Sequence, residues 1–286
     1  MAVSAVLSPR SAIEEDRSRL ANLLHFETHV HRHLDWRRPL DWLGHDPYLV
    51  LESGGRLLAA LVCPPDPPGV AWIRLFAATS RFDPQEAWEN LWPRALSQLS
   101  ALSVQHAAAI PLQPWFRDNL ANSQFIHTHN VVLLEWRPEG SSIPSKTGPK
   151  AGLRPMTEND IEGVVGVDRE AFAPLWQNSR EAVSLAFQQA GLATVIEEEG
   201  RITAFQISTR AARGLHLARL ATHPDYQGRG LASSLVRNMQ QRVLDRNETL
   251  LTVNTQDNNA PSLALYSKLG FKVTGEKFPV FQFDLN

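Results

Sequence analysis

The chain of 286 residues contains a single cysteine, Cys63. One thiol excludes a disulfide framework and a multi-thiolate metal site. It fits a reducing compartment. Charge of one sign is also missing. The 28 Lys+Arg residues face 30 Asp+Glu, a formal net charge of -2. That balance excludes a generally basic nucleic-acid coat, so no nucleic-acid partner is expected. No apolar run approaches the ~18 residues of a membrane span. The stretch Ala2–Leu7 is too short for a signal h-region, and no basic segment precedes it. These absences predict a cytoplasmic protein without membrane association. What remains is 43% hydrophobic and 20% charged, the composition of a soluble globular chain. At ~150 residues per domain the length predicts two domains.

A break in composition supplies the boundary. Residues 140–152 are mostly Gly, Ser, Pro and Lys and hold nothing that seeds a core. They read as a linker between 1–139 and 153–286. In the second half, Leu153–Pro155 is expected as a strand, and a helix capped by Thr157 or Asp160 runs to about Ala171. A helix follows over Ser179–Ala190. Ala193–Glu198 and Arg201–Thr209 form a hairpin around Glu199-Gly200. Leu215–Thr222 is a strand, followed by a glycine turn. Leu231, Leu235, Val236, Met239 and Val243 then recur at helical spacing. Strand Leu250–Thr255, helix Pro261–Leu269 and strands Phe271–Thr274 and Val280–Leu285 complete the half. The first half repeats this order: strands at Tyr48–Glu52, Arg56–Cys63 and Val70–Phe76, a helix at Pro84–Leu102, a strand at His106–Ile110, a helix at Pro114–Ala121 and a strand at His129–Trp136. Gly54 and Gly200 (200 − 54 = 146) share an offset with Phe125 and Phe271 (271 − 125 = 146). We read a tandem duplication of one α/β unit, each a mixed central sheet flanked by helices.

The turn His223–Ala232 joins strand to helix. Gly228 and Gly230 free the backbone for a sharp turn and for close approach of a ligand. The N–H groups of such a turn, with the helix dipole behind them, suit a pyrophosphate. Arg229 adds a cation. A dinucleotide fingerprint needs glycine where Ser233 stands. A Walker loop needs a Gly-Lys-Ser/Thr that is absent. A strand–helix turn without ligand stays open on the turn alone.

Gln227-x-x-Gly230-x-Ala232 resembles the Gln/Arg-x-x-Gly-x-Gly/Ala signature of the GNAT family of N-acetyltransferases. Downstream, Asn259-Ala260-Pro261-Ser262-Leu263-Ala264-Leu265-Tyr266 through Phe271 resembles its second hallmark. The resemblance covers about 153–286; the first half shares only the order of elements. It implies an acetyl-CoA site in which two central strands splay around the pantetheine arm. Leu220, Ala221 and Thr222 would bond that arm through their backbone. Gln227, Gly228, Arg229, Gly230, Leu231, Ala232 and Ser233 would hold the pyrophosphate, and Asn259 would lie near the pantetheine. The family often places a tyrosine at Tyr266 near the thioester sulfur. A phenol of pKa ~10 is protonated at neutral pH and can donate to a departing thiolate. His216 stands where members that acetylate lysine carry a catalytic glutamate. A histidine of pKa ~6.5 can act there through a water, or it is an exposed strand residue with no role. Glu170 is an alternative base.

His25, His29 and His33 would line one face of a helix, but no carboxylates complete a zinc site and His31 breaks the period; no metal is expected. The same offset of 146 places Arg81–Glu86 over the phosphate turn and Leu120 over Tyr266. No glycine remains there, and Asp83 and Glu86 would repel a pyrophosphate. The first half therefore reads as a degenerate copy that supports the active one and helps shape the acceptor site. Seven of the eight tryptophans lie in it, as core or as pocket lining. The expected activity is transfer of an acetyl group to a primary amine of a small molecule or peptide, by direct attack. A non-catalytic acyl-CoA-binding regulator, or a fold relic acting through partner contacts, are the alternatives.

Overall fold

The computed structural model describes residues 7–138 and 152–285. Residues 2–6, and the linker residues 140–151, lie outside it. In chain order the elements of the first half are β1 (Ser8–Ser11), α1 (Arg17–Phe26), β2 (His29–Arg32), β3 (Tyr48–Ser53), β4 (Arg56–Val62), β5 (Val70–Trp72), β6 (Leu75–Ala78), α2 (Pro84–Ala101), β7 (His106–Ala109), α3 (Pro114–Asn122) and β8 (Ile126–Trp136). Those of the second are β9 (Leu153–Pro155), α4 (Ile161–Ala171), α5 (Arg180–Gln188), β10 (Leu192–Glu198), β11 (Arg201–Ala211), β12 (Gly214–Thr222), α6 (Leu231–Asp245), β13 (Leu250–Gln256), α7 (Ala260–Lys268) and β14 (Lys272–Asp284).

The chain divides into two units whose boundaries fall inside β8 and β14. Unit 1 takes the residues up to Thr128 and those from Phe278 onward; unit 2 runs from His129 to Lys277. Backbone pairing accounts for this. Val131–Trp136 of β8 pair antiparallel with β13, and Phe281–Asp284 of β14 pair antiparallel with β7.

The duplication is visible in ion pairs. Arg10 on β1 donates to both oxygens of Asp16 and, at 2.7 Å, to Glu52. Arg154 on β9 donates to both oxygens of Asp160 and, at 2.6 Å, to Glu197. The arginines and the aspartates are each 144 residues apart (154 − 10 and 160 − 16). Both aspartates also accept a backbone N–H three residues back, from Ile13 and Thr157. Fixed planar donors meeting a carboxylate two at a time define direction as well as charge. Each triad clips the start of a helix to its sheet.

Unit 1 holds a sheet in the order β1-β3-β4-β6-β2, and β7 between β5 and β14. The single strand expected at Val70–Phe76 is two. Ile73 donates to Ala108 on β7, whereas Arg74 donates to Val62 on β4, so the chain changes partners between them. Trp42, Trp72, Trp88 and Trp92 are buried. Trp88 stacks on Trp92 with centroids 5.2 Å apart and joins Phe76, Leu91 and Phe116 in one cluster. These tryptophans are core.

In unit 2 the strand order is β8-β13-β12-β11-β10-β9. Leu215 and Leu217 of β12 pack with Val236, Met239 and Val243 of α6, the stripe read from helical spacing. Removing any of these leucines costs about 2–5 kcal/mol. Register shifts between Leu217 and Arg219, making Ala218 a bulge. Beyond it Arg219 reaches Asp168 on α4 instead. The two strands expected at Phe271–Thr274 and Val280–Leu285 are one, because Gly275 takes a positive φ and bends the strand without ending it. Among the described residues no helix is long and apolar enough to cross a membrane.

Candidate active site

The two central strands of unit 2 run together and then part. β12 and β13 are parallel partners only from Gly214↔Leu250 to Leu217↔Val253. From there β12 stays with β11 as far as Thr222, and β13 stays with β8 as far as Gln256. Leu220, Ala221 and Thr222 therefore line an edge that no strand among the described residues covers. Thr222 Oγ1 is sealed from solvent and has no hydrogen-bond partner among the described residues. A buried hydroxyl without a partner costs about 1–3 kcal/mol.

β12 leads into the glycine turn. Gly228 and Gly230 have φ of 75° and 77°, the left-handed region that glycine enters freely. Gly230 is the N-cap of α6 and has no side chain to satisfy it. The first-turn N–H groups of Leu231, Ala232 and Ser233 lack intrahelical acceptors. No acidic residue lies in that turn. The helix is 15 residues long, so its positive end is fully developed. Arg229 folds back over Tyr226, 4.7 Å from the ring centroid, and donates to Asp225 O. Gln227 Nε2 lies 3.4 Å from Thr222 O and ties the turn to the strand end. Uncapped donors and Arg229, which also lies 3.7 Å from Glu198, fit a pyrophosphate, and the open strand edge fits an amide-bearing arm.

Asn259 has a different local task. Its Oδ1 accepts from Ser262 N at 3.2 Å and its Nδ2 donates to Gln256 at 3.2 Å, so the side chain caps α7. Tyr266 on α7 is 4% exposed. Its ring packs with Phe271, Leu217, Leu220 and Val253. Burial pushes the phenol well above its ordinary value, so it stays protonated. His216 lies on the opposite face of β12, one residue before the strands part. Its Nδ1 is 2.9 Å from Thr252 Oγ1, and burial pulls the imidazole below its ordinary value. Glu170 is exposed on α4. His25, His29 and His33 fall on α1, on β2 and beyond it, so they share no helix face.

Asp168 and Arg219 escaped the sequence reading. Arg219 Nε and Nη2 meet the two Asp168 oxygens at 2.6 and 2.8 Å. Arg219 also donates to Trp176 O at 2.6 Å and lies 3.5 Å over the Phe172 ring. Asp168 accepts in turn from Asn178 N. One buried pair thus fixes α4, the loop 172–178 and the strand beside Leu220. Only a carboxylate standing among the core valines of α4 hinted at it.

Residues 162–271 match the acetyltransferase (GNAT) family model. They hold the parting strands, the glycine turn and Tyr266. Residues 162–271 thus form a GNAT domain, and acyl transfer is its activity. The ribosomal protein bS18-alanine N-acetyltransferase of Escherichia coli strain K12 is 26% identical over 116 residues, 41% of this chain and 77% of that enzyme. Among solved structures, a tandem GNAT protein from the clavulanic acid biosynthesis pathway covers 98% of each chain, with a TM-score of 0.60 and 14% identity. A probable N-acyltransferase from Enterococcus faecalis V583 covers 98% of this chain and 72% of its own, with a TM-score of 0.72 and 10% identity. These two likenesses are of fold. Both units have the GNAT-like plan of a mixed sheet flanked by helices.

The corresponding cleft of unit 1 is filled from within. Its parallel pair Val70↔His106 corresponds to His216↔Thr252 at the offset of 146 (216 − 70 and 252 − 106). Leu61 corresponds to Ile207 (207 − 61 = 146), which sets its partner Phe76 on the place of Arg219. β6 therefore occupies the place of the free edge of the GNAT domain. Here β2 pairs along it, from His29↔Ala78 to Arg32↔Leu75. At the helix below, Asp83 is the N-cap of α2 and accepts from Gln85 N at 2.9 Å. A strand stands where the GNAT domain offers an open edge, and a carboxylate stands where it offers free N–H groups.

Proposed function

We propose that this protein transfers an acetyl group from acetyl-CoA to the primary amine of a small molecule or peptide, in a ternary complex formed in unit 2. One observation carries the reading: β12 and β13 part, and the open edge leads straight into the uncapped N-terminus of α6. The edge Leu220–Thr222 holds the pantetheine arm, and residues 227–233 hold the pyrophosphate. When bound, acetyl-CoA supplies the activated acyl group as a thioester. The strand edge orients it, and much of the rate comes from holding both reactants in one cleft. Tyr266 keeps its proton and gives it to the leaving sulfur. His216, neutral at physiological pH, takes the proton of the attacking amine through a water. The Escherichia coli relative is named for alanine of a ribosomal protein; for this chain the acceptor is held at the level of a primary amine. Unit 1 binds no coenzyme A, because β2 and Asp83 fill both parts of its cleft. The reaction belongs in the cytoplasm.

Calorimetric titration of the full-length protein with acetyl-CoA tests this, with Gly230→Glu as control. The variant sets a carboxylate at the mouth of α6, and its thermal melt shows whether it folds. One micromolar site per chain, lost in the folded variant, supports the reading and justifies a panel of amine acceptors. An absence of binding in the native protein refutes it. Two sites per chain would refute the assignment of unit 1.

A further inference from the structure

Arg219 stands just beyond the point where β12 and β13 part. Leu217↔Val253 is their last pair, Ala218 is the bulge, and Arg219 then pairs with Ile207 of β11. Its face of the sheet follows from β11. The Ser208 hydroxyl meets Met239 of α6, so Ile207 and Thr209 on either side of it face the other way. Their partners Arg219 and His216 share that face, toward α4. Ile207 and Thr209 are two strand positions apart, which puts Arg219 about 7 Å along the face from His216.

The guanidinium is held on two edges and one flat face. Nε and Nη2 meet the two Asp168 oxygens at 2.6 and 2.8 Å, and Nη2 also donates to Trp176 O at 2.6 Å. The Phe172 ring covers one face at 3.5 Å. An arginine carries five N–H donors, and these contacts use those of Nε and Nη2. The Nη1 donors have no acceptor among the described residues, and Nη1 is not sealed from solvent. Asp168 already balances the charge. What is left is a pair of donors of fixed direction, and a fixed fork loses little freedom when it meets an oxygen. The phosphate turn and α6 lie on the opposite face, so the coenzyme A contacts proposed above leave this corner unused.

We infer that Arg219 Nη1 receives a carbonyl-type oxygen of the acceptor, so that the protein selects amines carrying such an oxygen on the carbon next to the amine-bearing one. α-Amino acids and peptide amino termini share that chemistry. In the proposed ternary complex the amine faces His216 through a water, and the oxygen faces Arg219. Asp168, Trp176 and Phe172 position the guanidinium. The inference deepens the proposed function and rests on it.

Steady-state kinetics of the full-length protein with acetyl-CoA test this on alaninamide, free alanine and propargylamine. Propargylamine is similar to alaninamide in basicity and has no oxygen. The native protein is expected to favour alaninamide over propargylamine by about tenfold to a hundredfold in kcat/KM. Arg219→Lys keeps a cation for Asp168 and removes the fork. In it the preference is expected to collapse, through a higher KM for alaninamide with kcat less changed. The two rates are compared within one protein, so a purely structural loss lowers both and leaves their ratio standing. Turnover of free alanine at a rate like that of alaninamide, with the same dependence on Arg219, supports the inference for amino acids; turnover of alaninamide alone supports it for peptide amino termini. A native protein without the preference overturns the inference, and so does an undiminished preference in Arg219→Lys. Acetyl-CoA binding without turnover of either oxygen-bearing amine overturns it while leaving the donor site standing. A native protein that binds no acetyl-CoA refutes the proposed function itself.

Discussion

Replacing Asp168 with asparagine isolates the buried pair behind the candidate site. The side chain of Asp168 is 0% exposed and that of Arg219 is 13% exposed. Asparagine keeps the shape but presents an amide where the guanidinium meets an oxygen, and it leaves the cation without a counter-charge. Breaking a buried pair from one side costs about 3–5 kcal/mol. A domain holds roughly 5–15 kcal/mol in total. At about 2–4 °C per kcal/mol, unit 2 should melt roughly 6–20 °C lower. The assay is thermal and urea unfolding of the full chain. Arg219→Met in the same background should recover part of the loss, since it removes the cation left without a counter-charge. The cycle of single and double variants gives the coupling directly. A loss below about 1 kcal/mol for Asp168→Asn, or a double variant no better than the single, would refute the view that this pair holds the loop 172–178 to β12.

Three further outcomes follow from the titrating groups. His31 is fully buried on β2 with its Nδ1 unpartnered, and desolvation lowers it from 6.5 to about 4. The unfolded chain thus takes a proton that the folded chain refuses. Stability should fall by about 3 kcal/mol as pH drops from 6.5 to 4, and His31→Phe should flatten that slope in urea titrations. Hydrogen bonds from Arg154 lower Asp160 from 3.8 to about 2. This stabilisation is present above 3.8 and is lost as pH falls through 2. Asp160→Asn should cost about 2 kcal/mol at pH 7 and converge on the native protein by pH 2 in acid unfolding curves. Tyr266→Phe should lower kcat by roughly tenfold to a hundredfold in steady-state assays while the melting temperature barely moves, because the hydroxyl supports chemistry and the ring supports packing.

Much of this was legible in the sequence because its signals are local. Helical spacing marked the stripe of α6, and glycines marked the hairpin at 199–200 and the turn before α6. Those residues act through their own backbone. The offset of 146 found the duplication, yet it could not show that β8 and β14 close sheets in the opposite halves. A strand's pairing partner is a long-range choice that composition does not record. β1, α1 and β2 went unread for the same reason: β2 is short, polar and histidine-rich, and only its neighbour β6 makes it a strand. Asp168 looked like one more acidic residue on a helix until Arg219 arrived from a strand 51 residues away.

The pairing of β2 with β6 makes the cleft of unit 1 an intramolecular complex. Its occupant is encoded in the chain, so it arrives at a fixed effective concentration and does not diffuse away. Mass action by a metabolite has no purchase on a site filled in this way. On the proposed function, the GNAT domain should gain stability as acetyl-CoA rises, by about 2.7 kcal/mol at a hundred times Kd, and unit 1 should gain none. The duplication would then leave one copy whose stability follows the supply of acyl donor and one saturated by its own backbone.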